Sequence, residues 1–125
     1  MHVRKMKVAI LGASPKPERY SYQAQQLLMD CGHEVFPVSL SGRDILGVKG
    51  TAVIPSGMDV VTVYLSAPHL NGLIDVLVAA APQKVIFNPG SENPEAKDQL
   101  EAHHIQIQEA CTLVLLRTGT FSVDC

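Results

Sequence analysis

The stretch Asp59-Val60-Val61-Thr62-Val63-Tyr64-Leu65 constrains this chain more than any other, because a nearly continuous β-branched run marks a strand covered on both faces. Such a strand needs helices above and below it, and the flanking sequence supplies them. A strand from about Lys5 to Leu11 leads to a helix from about Ser21 to Cys31, closed by Gly32, with Ala24, Leu27 and Leu28 as its apolar stripe. Glu34 to Val38 is the second strand, Ser39 to Gly50 is rich in turns, and a short third strand is expected near Thr51 to Ile54 before Pro55. The β-branched run is then the fourth strand. Pro68 opens a helix to about Ala80, with Leu70, Leu73, Ile74, Leu77 and Val78 at helical spacing. Lys84 to Asn88 is the fifth strand, Ser91 the expected N-cap of a helix from Pro94 to His103, and Ile105 to Gln108 a short last strand. The tail from Cys111 to Thr118 fits a helix or a strand equally well.

Strands alternating with helices require right-handed crossovers and a mostly parallel sheet. The expected fold is therefore α/β, a three-layer, doubly wound, Rossmann-like parallel sheet of order 3-2-1-4-5. A chain of 125 residues, 46% of them hydrophobic, buries one substantial core, so residues 1–125 are expected to form a single domain. Such sheets take ligands at the carboxyl ends of their strands, where the strand order reverses.

At that position Val8-Ala9-Ile10-Leu11 breaks into Gly12-Ala13-Ser14-Pro15-Lys16-Pro17 ahead of the first helix. A strand emptying into a glycine-led loop and a helix N-terminus suits a phosphate, because Gly12 can take backbone angles closed to other residues and the helix start presents free N–H groups and a positive dipole end. NAD(P) is disfavoured as the nucleotide. Its fingerprint wants G-x-G-x-x-G, where this chain has Ser14 and Pro17, and a carboxylate after the second strand, where it has Ser39-Leu40-Ser41.

Three loops are expected to converge at the strand ends: Gly12 to Tyr20, Ser66 to Leu70, and Asn88 to Ser91. The candidate ligand-binding residues are Gly12, Ala13, Ser14, Lys16, Arg19, Tyr20, Ser39, Arg43, Lys49, Ser66, Asn88, Pro89 and Gly90. Lys16 and Arg19 are expected beside a pyrophosphate, where a charged donor strengthens each hydrogen bond. Arg43 and Lys49 flank the loop after the second strand, within reach of a ribose 3′-phosphate, although charged loop residues are commonly only solvated. His69 has no adjacent Ser, Cys or Asp in a recognisable relay, His103 and His104 are explained by the helix C-terminus, and Cys111 is expected to be buried as a small apolar residue. No catalytic residue is assigned.

The remaining features exclude partners. A formal charge of −2 with scattered Lys and Arg, and only three Phe and three Tyr, offers neither a basic face nor stacking aromatics for nucleic acid. The N-terminus has no signal-peptide cleavage site and no apolar run approaches membrane-spanning length, so a cytoplasmic protein without membrane contact is expected. Cys31, Cys111 and Cys125 are odd in number and lack C-x-x-C spacing, which fits reduced thiols and argues against a zinc site.

Taken together these residues resemble the small stand-alone CoA-binding proteins related to the N-terminal domain of the succinyl-CoA synthetase alpha subunit. The resemblance rests on Val8 to Ser14 followed by Pro15-Lys16-Pro17-Glu18-Arg19 and Ser21-Tyr22, on Gly32 to Val38, and on Ile45-Leu46-Gly47-Val48-Lys49. Asp59-Val60-Val61, Asn88-Pro89-Gly90 and Cys111 match more loosely. It implies a Rossmann-type sheet holding the nucleotide end of CoA. The chain departs from the pattern at Leu65, where the family usually has an arginine, at Ser39-Leu40 in place of Asn-Pro, and in a shortened segment around Pro55-Ser56-Gly57. Ligase chemistry is not expected, since the ligase relatives place it in further domains. The favoured reading is non-catalytic binding of CoA, acyl-CoA or a related adenine nucleotide. The alternatives are an NAD(P)-dependent or thiol enzyme, and a degenerate Rossmann scaffold for protein association, as a homo-oligomer or with another protein.

Overall fold

In the computed structural model, which describes residues 5–122, the strands are β1 Lys7–Leu11, β2 Glu34–Val38, β3 Val60–Val63, β4 Lys84–Phe87 and β5 Gln106–Glu109. They form one five-stranded sheet of order β2-β1-β3-β4-β5, every pair parallel. The register sets Ala9 beside Phe36 and Val61, and Val61 beside Val85. The helices are α1 Tyr20–Asp30, α2 Ala67–Leu70, α3 Ile74–Ala80, α4 Pro94–Ala102 and α5 Thr112–Arg117.

The layers follow from strand alternation. Ala9, Leu11, Val61, Val63, Val85 and Phe87 face one way and pack with Leu70, Ile74 and Leu77 and with Ala96 and Leu100, the inner stripes of α2, α3 and α4. Val8, Ile10, Val35, Val60 and Ile86 face the other way, where Leu28 of α1 and Leu115 of α5 cover them. Both faces of β1 and β3 are thus buried, which is why their sequences lack polar alternation. The expected doubly wound Rossmann-like architecture is the observed one, and β1 lies inside the sheet.

Three local expectations are corrected and one ambiguity is resolved. The segment Thr51 to Ile54 lies beside β2 as expected but makes only one parallel bridge, Val38 to Thr51. The Thr51 hydroxyl accepts the Val53 N–H at 3.1 Å, a local turn that draws the chain off the sheet. The observed order is therefore the expected order with the edge strand reduced to a bridge. That leaves β2 near the edge, where Pro37 is tolerated: its carbonyl faces Thr51, so its missing N–H also points outward. The helix expected from Pro68 to Ala80 is broken by a 3-10 turn at Asn71–Leu73. Asn71 and Gly72 are poor helix formers, and the Asn71 side chain accepts instead from Asn93 Nδ2 at 2.9 Å. The cap of α4 is Asn93, whose Oδ1 accepts the Ala96 N–H at 3.1 Å. Ser91 closes the preceding turn, its N–H donating to the Asn88 carbonyl at 2.8 Å. The ambiguous tail from Cys111 is helical as α5. Cys125 lies outside the described residues.

Candidate functional site

From β1 the chain passes through α1 to β2 on one side, and from the end of β2 it crosses back to β3 on the other side of β1. The chain ends of β1 and β3 therefore part at Gly12, and the hollow between the departing loops is the switch-point crevice. Gly12 has φ +96, a conformation L side chains rarely adopt. A Cβ there would lie 3.1 Å from Leu65 Cδ2 and 3.3 Å from the Tyr64 carbonyl carbon, so the position is closed to other residues by both angle and space.

Two clefts meet at this glycine. The first, of about 470 Å³, is polar. Ser14, Lys16, Arg19 and Tyr20 line it from the β1 loop, and Ser66, Pro89 and Gly90 from the loops after β3 and β4. The second, of about 630 Å³, lies on the β2 side and is lined by Gly12, Ala13 and Ser39 together with Leu11, Leu40, Leu65, Leu73 and Val76. A third hollow of about 240 Å³ continues the polar cleft past Tyr20, Tyr64 and Pro89 towards Asn88, Cys111 and Arg117. The largest of these hollows, about 860 Å³, runs along the outer side of β2 past His33, Glu34 and Lys49, away from the converging loops. Lys49 thus lies apart from the crevice, and Arg43 is exposed on its loop and lines none of these hollows.

The backbone donors are distributed differently from the glycine-loop expectation. The N–H groups of Gly12 and Ala13 both donate to the Val38 carbonyl, at 2.9 and 3.0 Å, and tie the loop to the end of β2. The Lys16 N–H donates to Ser14 Oγ at 3.2 Å, and the Gly90 N–H to Glu92 Oε1 at 2.9 Å. What faces the polar cleft is instead the start of α1, an 11-residue helix with neither a side-chain cap nor an acidic residue in its first turn. Its first N–H groups have no intrahelical partner. Gly12 accordingly shapes the crevice, and the first residues of α1, Tyr20 and Ser21, line the polar cleft with the cations Lys16 and Arg19 beside them.

Beneath the crevice a buried polar lattice ties the ends of two strands to the start of α5. Asn88 Nδ2 donates to Thr62 Oγ1 at 2.7 Å and to the Val63 carbonyl at 2.9 Å, and Asn88 Oδ1 accepts the Thr112 N–H at 2.8 Å. Thr62 and Thr112 share a hydroxyl hydrogen bond at 2.7 Å. Asn88 is 2% exposed with both amide hydrogens spent, so its side chain acts as a strut between β3, β4 and α5. Burial pushes the neighbouring Tyr64 phenol up to about 12, outweighing its hydrogen bonds to Thr112 and Thr62, so it stays a neutral hydroxyl at the cleft.

One pairing corrects the sequence reading. Ser66, at the N-cap of α2, leaves the helix uncapped by its side chain and places Oγ 2.7 Å from His69 Nδ1, so His69 does have a serine partner. Both are exposed. The spacing Ser66-x-x-His69 was the available signal. Ser91 lines the polar cleft with its converging loop as expected, and Tyr64 and Ser21 line it without having been expected there. Leu65, Leu73 and Val76 line the apolar one, and aliphatic residues carry no sequence mark that separates a cleft wall from a core.

Comparison with known proteins decides the family, since the CoA binding domain model matches residues 6–117. The chain belongs to the CoA-binding domain family. The resemblance read from Val8 to Ser14 and its companion segments is therefore borne out. Among this family member's relatives is protein YneT of Bacillus subtilis (strain 168), uncharacterized, 27% identical over 115 residues that cover 89% of this chain and 85% of YneT. A crystal structure of an uncharacterized protein superposes with a TM-score of 0.90 at 36% identity, covering 95% of this chain and all of that one. The dinucleotide-forming acetyl-coenzyme A synthetase 1 of Ca. Korarchaeum cryptofilum, solved with phosphate and ADP, shares the fold at a TM-score of 0.71 and 18% identity, over 84% of this chain and 25% of its own. Among the described residues no helix is long and apolar enough to cross a membrane.

Proposed function

We propose that this domain binds CoA, or a closely related adenine nucleotide, across the crevice at Gly12. The carrying observation is a polar cleft flanked by less polar hollows on both sides. CoA has the same order: a flat base and ribose, a pyrophosphate in the middle, and a long, largely uncharged pantetheine arm. The adenosine fits the β2-side cleft among Leu11, Leu40 and Leu65. The pyrophosphate lies over the start of α1, with Lys16 and Arg19 supplying charge and Ser14 and Ser66 neutral hydrogen bonds. The pantetheine arm leaves past Tyr20, Tyr64, Pro89 and Gly90. In this arrangement Ala13 and Ser39 border the adenosine, Asn88 stiffens the floor, and Arg43 and Lys49 have no part.

The chain's residues hold and orient the ligand in this reading, without a chemical step. Isothermal titration against CoA, NAD and ATP tests it. The expected order has CoA tightest, because the hollow past Tyr20, Tyr64 and Pro89 suits an uncharged pantetheine arm, which NAD and ATP lack. NAD binding as tightly as CoA would reverse the assignment.

A further inference from the structure

The cations are unevenly placed around the crevice, and this selects among adenine nucleotides. Lys16 and Arg19 line the polar cleft, whereas among the described residues no charged side chain lines the β2-side cleft. The rim of that cleft is apolar as well, with Leu40 99% and Val53 67% exposed. The polar side chains it offers are Ser39 and Ser41, whose hydroxyls hydrogen-bond each other at 3.2 Å. Neutral hydroxyls exchange hydrogen bonds readily with a sugar diol. They give no compensating charge to a phosphate dianion, and an unpaired charge drawn from water towards apolar walls is disfavoured. The two cations of this part of the chain stand elsewhere: Lys49 on the outer side of β2, and Arg43 exposed on its loop.

Resting on the nucleotide reading above, we propose that the site selects an adenosine diphosphate moiety whose ribose carries no phosphate, and so takes dephospho-CoA at least as tightly as CoA. The class is thus an adenosine diphosphate with a free ribose diol and a pantetheine arm, which NAD lacks. The 3′-phosphate gains no counter-charge from the rim that Leu40 and Val53 form, and the selectivity therefore resides in exposed side chains that can be changed without disturbing the core.

Titration of the full chain with CoA and with dephospho-CoA, at one salt concentration, reads the ratio directly. The expected result is an equal or lower Kd for dephospho-CoA. A Kd for CoA lower by about threefold or more overturns the inference while leaving the nucleotide reading standing, and binding of neither ligand overturns both. Leu40→Arg adds a cation at a fully exposed rim position, and the ratio should then shift several-fold towards CoA. An unchanged ratio in Leu40→Arg would mean that the ribose does not face this cleft, which also overturns the proposal. An Arg43→Ala variant that loses affinity for CoA but keeps it for dephospho-CoA would assign the phosphate to Arg43, with the same consequence.

Discussion

Replacing Gly12 by alanine perturbs the crevice at its centre with a single methyl group. At φ +96 a residue with a Cβ carries strain of about 1–3 kcal/mol. The new methyl also meets Leu65 Cδ2 at 3.1 Å and the Tyr64 carbonyl carbon at 3.3 Å. Leu65 can swing aside, but the Tyr64 backbone is held by its own N–H, which donates to the Leu11 carbonyl at 2.8 Å. Reduced freedom of the unfolded chain returns only about 0.4–1 kcal/mol. The net loss is about 2 kcal/mol, well inside the roughly 5–15 kcal/mol that holds a domain together, so the variant stays folded. With an unfolding entropy of about 2.1 cal/mol/K per residue over 125 residues, the expected fall in Tm is about 8 °C. Because Gly12 borders both clefts and lets the β1 end lie close against Tyr64 and Leu65, CoA affinity should fall by about tenfold or more. Thermal unfolding with parallel titration calorimetry measures both quantities. A Tm within about 2 °C of the parent together with an unchanged Kd would refute the strain argument and the placement of the ligand at once.

Lys16→Ala should cost only a few-fold in CoA affinity, and the difference should shrink as salt is raised, because an exposed cation is screened; a salt-independent loss would contradict this role. Asn88→Ala strands the Thr112 N–H and disrupts the Thr62 lattice in the core, so urea unfolding should show a loss of about 2–4 kcal/mol, against a contradicting value under about 1. His33 Nδ1 accepts the Met6 N–H at 3.1 Å and must stay bare, and burial lowers its pKa below 6.5. The unfolded chain therefore takes up the proton first. This contribution to stability is complete above about pH 6.5 and is lost as pH falls towards the depressed folded value, so the urea midpoint should drop between pH 7 and 5.5 in the parent and less in His33→Gln, with equal slopes contradicting the assignment.

The strands that were legible in the sequence are those buried on both faces, since β1 and β3 admit only aliphatic and β-branched residues and cannot be mistaken for an amphipathic pattern. Thr51 to Ile54 has the same β-branched character, but one threonine hydroxyl turning back on Val53 ends it after a single bridge, and no periodicity reports that. Ser91 and Asn93 are both good caps by type; only the turn at Asn88 to Ser91 decides that the helix starts after Asn93. The polar side of the crevice was legible because Ser14, Lys16 and Arg19 have few other uses at a strand end. Its apolar side was not, since Leu65 and Val76 resemble core residues until the chain's path leaves them facing a hollow. The amides of Gly12 were expected to meet a ligand and instead hold Val38, a long-range bond that sequence spacing does not carry.

Amide chemical-shift mapping on the isotopically labelled chain tests the central claim most directly, because it locates the ligand without altering a residue. On addition of CoA the account predicts the largest shifts in Gly12 to Tyr22, Ser39 to Ser41, Leu65 to Ser66 and Gly90, with Val48 to Thr51 and His33 unmoved. Shifts concentrated along the outer side of β2, or none at saturating CoA, would contradict it.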